Sequence, residues 1–469
     1  MPHLSVNAAR RHFQALALSA LLALNLPTAH AAPLSAAEES AIDSTVREAL
    51  RTQRAPGAVV AIRRGGELLL RRAYGLADVA SGRAMHEDTA FEIGSITKQM
   101  TAAAVLQLVQ AGRLSLDDAV SKFVPSYPAA AQVTVRQLLQ QTSGLPDFAG
   151  TEAFAANATQ TPARFEQVLA TVQAAPQQFT PGSRFRYSNT NYLLLARIVE
   201  TVSGQPFATR LGEQVLAPVG MAHTGASDGA LRWPDLASGH TTEAGQVQRA
   251  PRFQPSWIRG AGELVSTADD LLAWAEALGS GRVVSPASYQ AMATPAVLNN
   301  GQPDGYGFGL FVDRQAGHAR LWHGGGTLGF SSSLMRYPAE QLTIVVLVNH
   351  EALNASALSA SLFEVLHPEA RAAHAPVPGE DPALTQQLRA WLAALKQGTP
   401  SADIALAPAQ RQALQNTLDN YGRPEALVYR GQRGDGERRY LLRFGAQWFH
   451  FDFSRAAGGA LRAATITPE

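Results

Sequence analysis

The chain has 469 residues, 46% hydrophobic and 16% charged, enough for a globular protein of two or three domains with a large core. A formal net charge of +1, without any basic tract interleaved with aromatics, leaves no electrostatic case for nucleic-acid binding. The absence of cysteine excludes disulfides, a thiolate nucleophile and thiolate metal sites.

Arg10 and Arg11 precede an apolar run from Phe13 to Leu26 and then Ala29-His30-Ala31, which has the small-x-small form of a cleavage site. Residues 1–31 are therefore expected to be a secretory signal peptide, since the run is too short to span a bilayer and no cysteine follows to carry a lipid. The expectation is an exported protein, periplasmic or secreted, with no membrane span once 469 − 31 = 438 residues remain.

The pattern then predicts a helix over 40–51 and two strands over 58–64 and 67–74, joined by Gly65-Gly66 as a hairpin. Helices are expected over 95–111, closed by Gly112, and over 133–141 and 191–203. Further on, 320–323, 330–337 and 342–349 read as strands, the last almost wholly apolar, followed by a helix over 353–366. Strands at both ends with helices between predict one sheet closed by distant segments. A Pro/Ala-rich stretch marks a linker over 368–382, separating a domain over 32–367 from a small one over 383–469. The small domain is expected to carry strands over 426–429, 438–444, 447–453 and 461–467, with Phe449, Phe451 and Phe453 on one face and Trp448, His450 and Asp452 on the other.

Within FEIGSITKQM, Ser95 lies three residues before Lys98, which puts both on one helical face. Only three of the 39 basic residues are lysines, Lys98, Lys122 and Lys396, so arginine is this chain's ordinary cation. Arginine cannot lose its proton in a protein, whereas a desolvated lysine can, and a serine nucleophile needs such a base. Alone, Ser-x-x-Lys is equally the mark of a helix cap and a surface lysine; partners decide.

Two stretches supply candidates. In FRYSNTNYLLL, Tyr187 and Asn189 fall in a polar loop before a helix, where a phenol can share a proton with Lys98 and an amide can bind a substrate carbonyl. In LWHGGGTLGF, a strand ending at His323 meets Gly324, Gly325 and Gly326, where substrate can approach the backbone and Gly326 can offer an oxyanion N–H beside that of Ser95. His323 can orient the proton network, meet a substrate carboxylate, or be a structural histidine at a strand end.

The nine histidines outside the signal region are scattered without a His-x-x-x-His pair, so neither a metal nor an organic cofactor is expected. Two other motifs fail on context. GASDG from Gly225 lacks the strand and helix that a nucleophile elbow requires, and the Gly-x-Gly-x-x-Gly of 324–329 leads into a strand where a phosphate loop needs a helix.

With Ser95-Ile-Thr-Lys98, Tyr187-Ser-Asn189 and His323-Gly324-Gly325 in order, the chain resembles the serine β-lactamase and penicillin-binding-protein superfamily. The similarity is to the branch of class C β-lactamases, D-alanyl-D-alanine carboxypeptidases, D-aminopeptidases and β-lactamase-like carboxylesterases. QTSGLPDF from Gln141 and GAGELVSTADDL from Gly260 strengthen it, and it covers about 40–366. It implies an α+β fold: an antiparallel sheet flanked by helices beside an all-helical region, with the small C-terminal α+β domain appended. It also implies that Ser95 attacks the carbonyl, that Lys98 and Tyr187 shuttle the proton, and that Tyr187 is the deacylation base, since no dedicated glutamate motif is present. The third motif is usually Lys-Thr/Ser-Gly; histidine in its place removes a cation and a hydroxyl for a substrate carboxylate. The expectation is a hydrolase of a small-molecule or peptide-like ester or amide rather than an efficient β-lactamase. The alternative is a binding or sensor protein that is non-catalytic or deacylates slowly.

Overall fold

Helix α1 (Ala36–Gln53) starts at a capping box: the Ser35 hydroxyl accepts from the Glu38 N–H at 3.2 Å, and the Glu38 carboxylate accepts from the Ser35 N–H at 2.7 Å. In the computed structural model the described residues are 32–227, 235–399, 404–433, 436–456 and 458–469. The expected signal peptide lies outside them, as does part of the 225–229 motif.

Strands β1 (Gly57–Arg64) and β2 (Glu67–Asp78) form the expected hairpin, with Gly65 and Gly66 both at positive φ. Helices α2 (Thr97–Gln110), α3 (Asn189–Ser203) and α4 (Ala268–Gly279) follow, then β3 (Phe311–Gln315), β4 (His318–Thr327), β5 (Phe330–Tyr337), β6 (Leu342–Val348) and α5 (Ala355–Leu366). The main sheet runs from the short strand Arg83–Ala84 through β2, β1, β6, β5 and β4 to β3, antiparallel at each junction. Its centre is the pairing of β1 with β6, in which Ala58 faces Val348 and Ile62 faces Ile344, so distant segments do close one sheet.

Alternation along these two strands explains their continuous apolar sequence. Ala58, Val60 and Ile62 enter one core with Ile344 and Val346, beneath Ile42 and Val46 of α1 and Leu362 of α5. Val59 and Ala61 point the other way, with Val345 and Leu347, into a second core shared with Met100 of α2 and Trp274 of α4. Helix α2 is buried nearly all round, its polar Thr97, Lys98, Gln99 and Thr101 included, and runs between the sheet and the helical region.

Three boundaries differ from the sequence reading. Ser95 sits in a 3₁₀ turn, Gly94–Ile96, just ahead of α2, rather than in the helix itself. Asn189 is the first residue of α3, not part of the preceding loop. Strand β4 does not end at His323 but runs through the glycines to Thr327, because Gly324, Gly325 and Gly326 keep register with Ser333, Ser332 and Ser331 on β5. Cross-strand pairing there overrides glycine's weak strand preference.

Residues 368–382, read as a linker, contain the short helix α6 (Pro368–Ala373). Beyond it lie α7 (Pro382–Gln397) and α8 (Pro408–Tyr421), then a four-stranded antiparallel sheet of β7 (Ala426–Gln432), β8 (Arg438–Phe444), β9 (Gln447–Arg455) and β10 (Leu461–Pro468). Phe449, Phe451 and Phe453 share this module's own core with Leu388 and Leu414. Contacts to the N-terminal portion are specific: Arg320 donates to the Ala446 carbonyl at 3.0 Å, and His374 stacks on Trp448 while bridging Glu364 and Glu469. Residues 33–469 thus form one compact unit. Among the described residues no helix is long and apolar enough to cross a membrane.

Candidate active site

Two close approaches build the site. Gly94 has φ of +49°, and a Cβ there would stand 2.7 Å from the Gly326 nitrogen; at Gly325 it would stand 1.9 Å from the Ile93 carbonyl. Only glycine lets β4 press against the Ser95 turn, and Ser332 of β5 ties the two together by donating to the Ile93 carbonyl at 2.8 Å. Ser95 and Gly326 consequently line the same two cavities, of about 620 and 310 Å³.

Lys98 is fully buried, and its Nζ lies 2.9 Å from Ser95 Oγ, 2.9 Å from Asn189 Oδ1 and 2.8 Å from the Ala261 carbonyl. Burial lowers its pKa to about 7, against the pull of the Asp147 and Glu263 charges in the other direction. A neutral amine has two protons and one lone pair. The amide oxygen and the carbonyl can only accept, so they take the two protons and leave the lone pair facing the Ser95 hydroxyl. Asn189 is locked in this orientation because its Nδ2 donates to Asp147 Oδ2 at 3.1 Å, while its backbone N–H donates to Asp147 Oδ1 at 3.0 Å. Asn189 therefore holds the lysine, and because Asp147 takes only one of its two Nδ2 protons, the other remains for a substrate carbonyl in the cavity that Asn189 lines with Ser95.

The Tyr187 ring centroid is 4.8 Å from Lys98 Nζ. Its phenol oxygen is buried, and among the described residues no partner meets hydrogen-bond geometry, although Ser95 lies near enough to draw its pKa down. Burial dominates and holds the phenol well above its ordinary pKa, so Tyr187 is protonated. In the free site Tyr187 thus stands protonated beside Lys98, the state in which a phenol donates; the expected part as deacylation base requires it to give up that proton first.

Of the three roles open to His323, the contacts favour the structural one. Its Nδ1 lies 2.6 Å from the Gly324 carbonyl, which can only accept, so Nδ1 carries the proton and Nε2 accepts from the Tyr306 hydroxyl at 3.0 Å. Burial, helped by the Lys98 charge, pushes its pKa down to about 3. A neutral, doubly bonded imidazole offers no cation to a carboxylate.

Sequence reasoning missed several supports. Gln141, at φ of +60°, accepts through its side chain from the Ser188 N–H at 3.0 Å and so fixes the segment carrying Tyr187. Asp147, Gln141 and Ala261 lie inside stretches already singled out for their resemblance, so their presence was visible though their roles were not. Tyr306 had no signal. Of the histidines, His318 and His367 do approach one another, with Glu369, at the end of β4 away from the glycines.

A serine beside a buried lysine whose pKa is lowered to about 7, on a turn between an antiparallel sheet and a helical region, defines a β-lactamase/transpeptidase-type fold. The family model described as Beta-lactamase matches residues 42–367, and the chain belongs to that family. Among curated proteins it is 30% identical over 306 residues to penicillin-binding protein 4* of Bacillus subtilis (strain 168), covering 61% of this chain and 66% of that one. It is 30% identical over 323 residues to a D-aminopeptidase of Cereibacter sphaeroides (strain ATCC 17029 / ATH 2.4.9), covering 68% and 61%. The matches thus span 61 to 66% of these relatives' own lengths. An octameric penicillin-binding protein homologue from Pyrococcus abyssi shares the fold with a TM-score of 0.64 at 23% identity, over 92% of this chain and 90% of that one.

Proposed function

We propose that this protein is an exported serine hydrolase that cleaves a small ester or amide through an acyl-enzyme on Ser95. The observation that carries the reading is buried Lys98 Nζ held 2.9 Å from Ser95 Oγ between two pure acceptors, Asn189 Oδ1 and the Ala261 carbonyl. Ser95 Oγ adds to the carbonyl carbon as Lys98 takes its proton. The oxyanion is met by the N–H groups of Ser95 and Gly326. Tyr187 gives its proton to the departing oxygen or nitrogen and recovers one from Lys98. Water then adds to the acyl ester, its proton passing to the same Lys98–Tyr187 pair, and the Ser95 hydroxyl is restored. Neither a metal nor an organic cofactor enters these steps.

Substrates of the small-molecule or peptide-like kind fit the 620 Å³ cavity, whose lining includes no lysine or arginine. With His323 neutral as well, a substrate carboxylate finds no cation there, which favours esters and amides, including those of D-amino acids, over β-lactams. Export, to the periplasm or beyond, rests on the Arg10-Arg11, apolar and Ala29-His30-Ala31 sequence of the first 31 residues.

The test is stopped-flow release of p-nitrophenol from a short-chain ester by the unaltered protein, with Ser95→Ala and Lys98→Ala beside it. A burst followed by turnover is expected, with the burst lost in Ser95→Ala and slowed by about 10²–10⁴-fold in Lys98→Ala. A Ser95→Ala protein as active as its parent would sink the mechanism.

A further inference from the structure

The larger cavity has two sides of different origin. Phe185, Phe311 and Trp322 of the hydrolase portion line one, and Asn420, Tyr421 and Gln447 of the C-terminal module line the other. Building on the acyl-enzyme reading, we propose that the C-terminal module is a wall of the substrate site, and that Tyr421 and Asn420 set the size of the aromatic group, free of negative charge, that this cavity accepts.

The wall is built rather than draped. Asn420, at the end of α8, donates through Nδ2 to the Phe185 carbonyl at 3.2 Å, two residues before Tyr187, so the module grips the segment that carries the catalytic phenol. The Tyr421 ring is held by Phe449 at 5.2 Å and Phe444 at 6.1 Å between centroids. Gln447 is buried, and its neighbour Ala446 accepts from buried Arg320. A ring pinned in this way limits what fits opposite it, because closing up around an oversized group would require moving two sheets at once. Rings on both sides, with Glu351 and Glu425 but no lysine or arginine in the lining, select a flat group that carries no negative charge.

The test uses the full chain and two ester series followed by pH-stat: acetates of alcohols from phenol to 2-naphthol, and methyl esters of acids from benzoic to 2-naphthoic. Together they probe the leaving-group and acyl sides. In the unaltered protein one series favours phenyl over naphthyl, and in Tyr421→Ala the naphthyl-to-phenyl ratio of kcat/KM in that series rises at least about ten-fold, through KM. Tyr421→Leu and Asn420→Ala, each checked by thermal melting, move the same ratio in the same direction and guard against a misfolded alanine variant. Ratios unchanged within about two-fold in both series, in folded variants that still show Ser95-dependent hydrolysis, overturn the wall alone. No Ser95-dependent hydrolysis in the unaltered protein overturns the acyl-enzyme reading and the wall with it.

Discussion

Lys98 and Arg320 are both buried almost completely, yet their surroundings are opposite in kind. Arg320 meets a carboxylate face on: Nε and Nη2 donate to the two Asp313 oxygens at 2.8 Å each, Nη1 donates to Gln315 at 3.1 Å, and Nη2 also reaches the Ala446 carbonyl. Burial alone would lower its pKa, but Asp313 outweighs that and raises it. Lys98 touches only neutral acceptors, and the nearest carboxylate, Asp147, is held off behind Asn189. One cation is paired to stay charged and staple two modules together; the other is left unpaired so that it can give up its proton. A buried charge costs several kcal/mol unless it is compensated, and the site uses that cost to tune a base.

Exchanging the two chemistries is the most severe way to break this contrast. Lys98→Arg puts a permanent charge where a lone pair is required, and the ester burst should fall by about 10²–10⁴-fold while the protein still folds. A Lys98→Arg protein retaining more than a tenth of the burst rate would mean that the base lies elsewhere. Next comes Arg320→Met, which strands Asp313 without its partner and should cost about 3–5 kcal/mol in urea unfolding, with Arg320→Met/Asp313→Asn recovering part of it. Equal losses in the single and double variants would show that packing, not charge, holds this end of the sheet.

The smallest and most informative effect concerns pH. Lys98 must be neutral to act, so kcat/KM should rise with pH through an acid limb near 7. Glu263 is itself buried, its pKa raised by burial to about 7, and its charge supports the protonated lysine. Glu263→Gln should therefore move the acid limb to lower pH; a limb that moves upward would assign the titration to another group. The lysine's depressed pKa also has a stability consequence. The unfolded chain binds the extra proton between pH 7 and the ordinary lysine value, so this group's contribution to stability rises with pH across that window and is at its least favourable below it.

Much of this was legible in the sequence for a physical reason: helical spacing and side-chain chemistry are local. The rarity of lysine singled out Lys98, and three-residue spacing placed it beside Ser95. What escaped was what depends on tertiary contact. Nothing local says that Asn189 turns its amide oxygen to Lys98, since that orientation follows from Asp147 lying 42 positions earlier. His323 stays open between a proton relay, a carboxylate contact and a structural role until Tyr306 and the Gly324 carbonyl occupy both nitrogens. Whether Tyr187 rests as acid or base is open until its burial is known. The glycines of β4 hid a strand, because their pairing with Ser331, Ser332 and Ser333 supplies the regularity that their own preferences do not.

The pairing of β1 with β6 joins Ala58 to Val348, 348 − 58 = 290 positions later. Such a contact is slow to form, and it has a temporal meaning for a chain made from its N-terminus. When Ser95 and Lys98 have been synthesised, β1 is still an open edge and no strand yet faces the nucleophile. Gly326, the sheet's closing strand and lastly Tyr421 arrive in that order. The reactive centre is thus armed by the portions of the chain that emerge late, and a polypeptide interrupted before Val348 carries its serine and lysine without the means to use them.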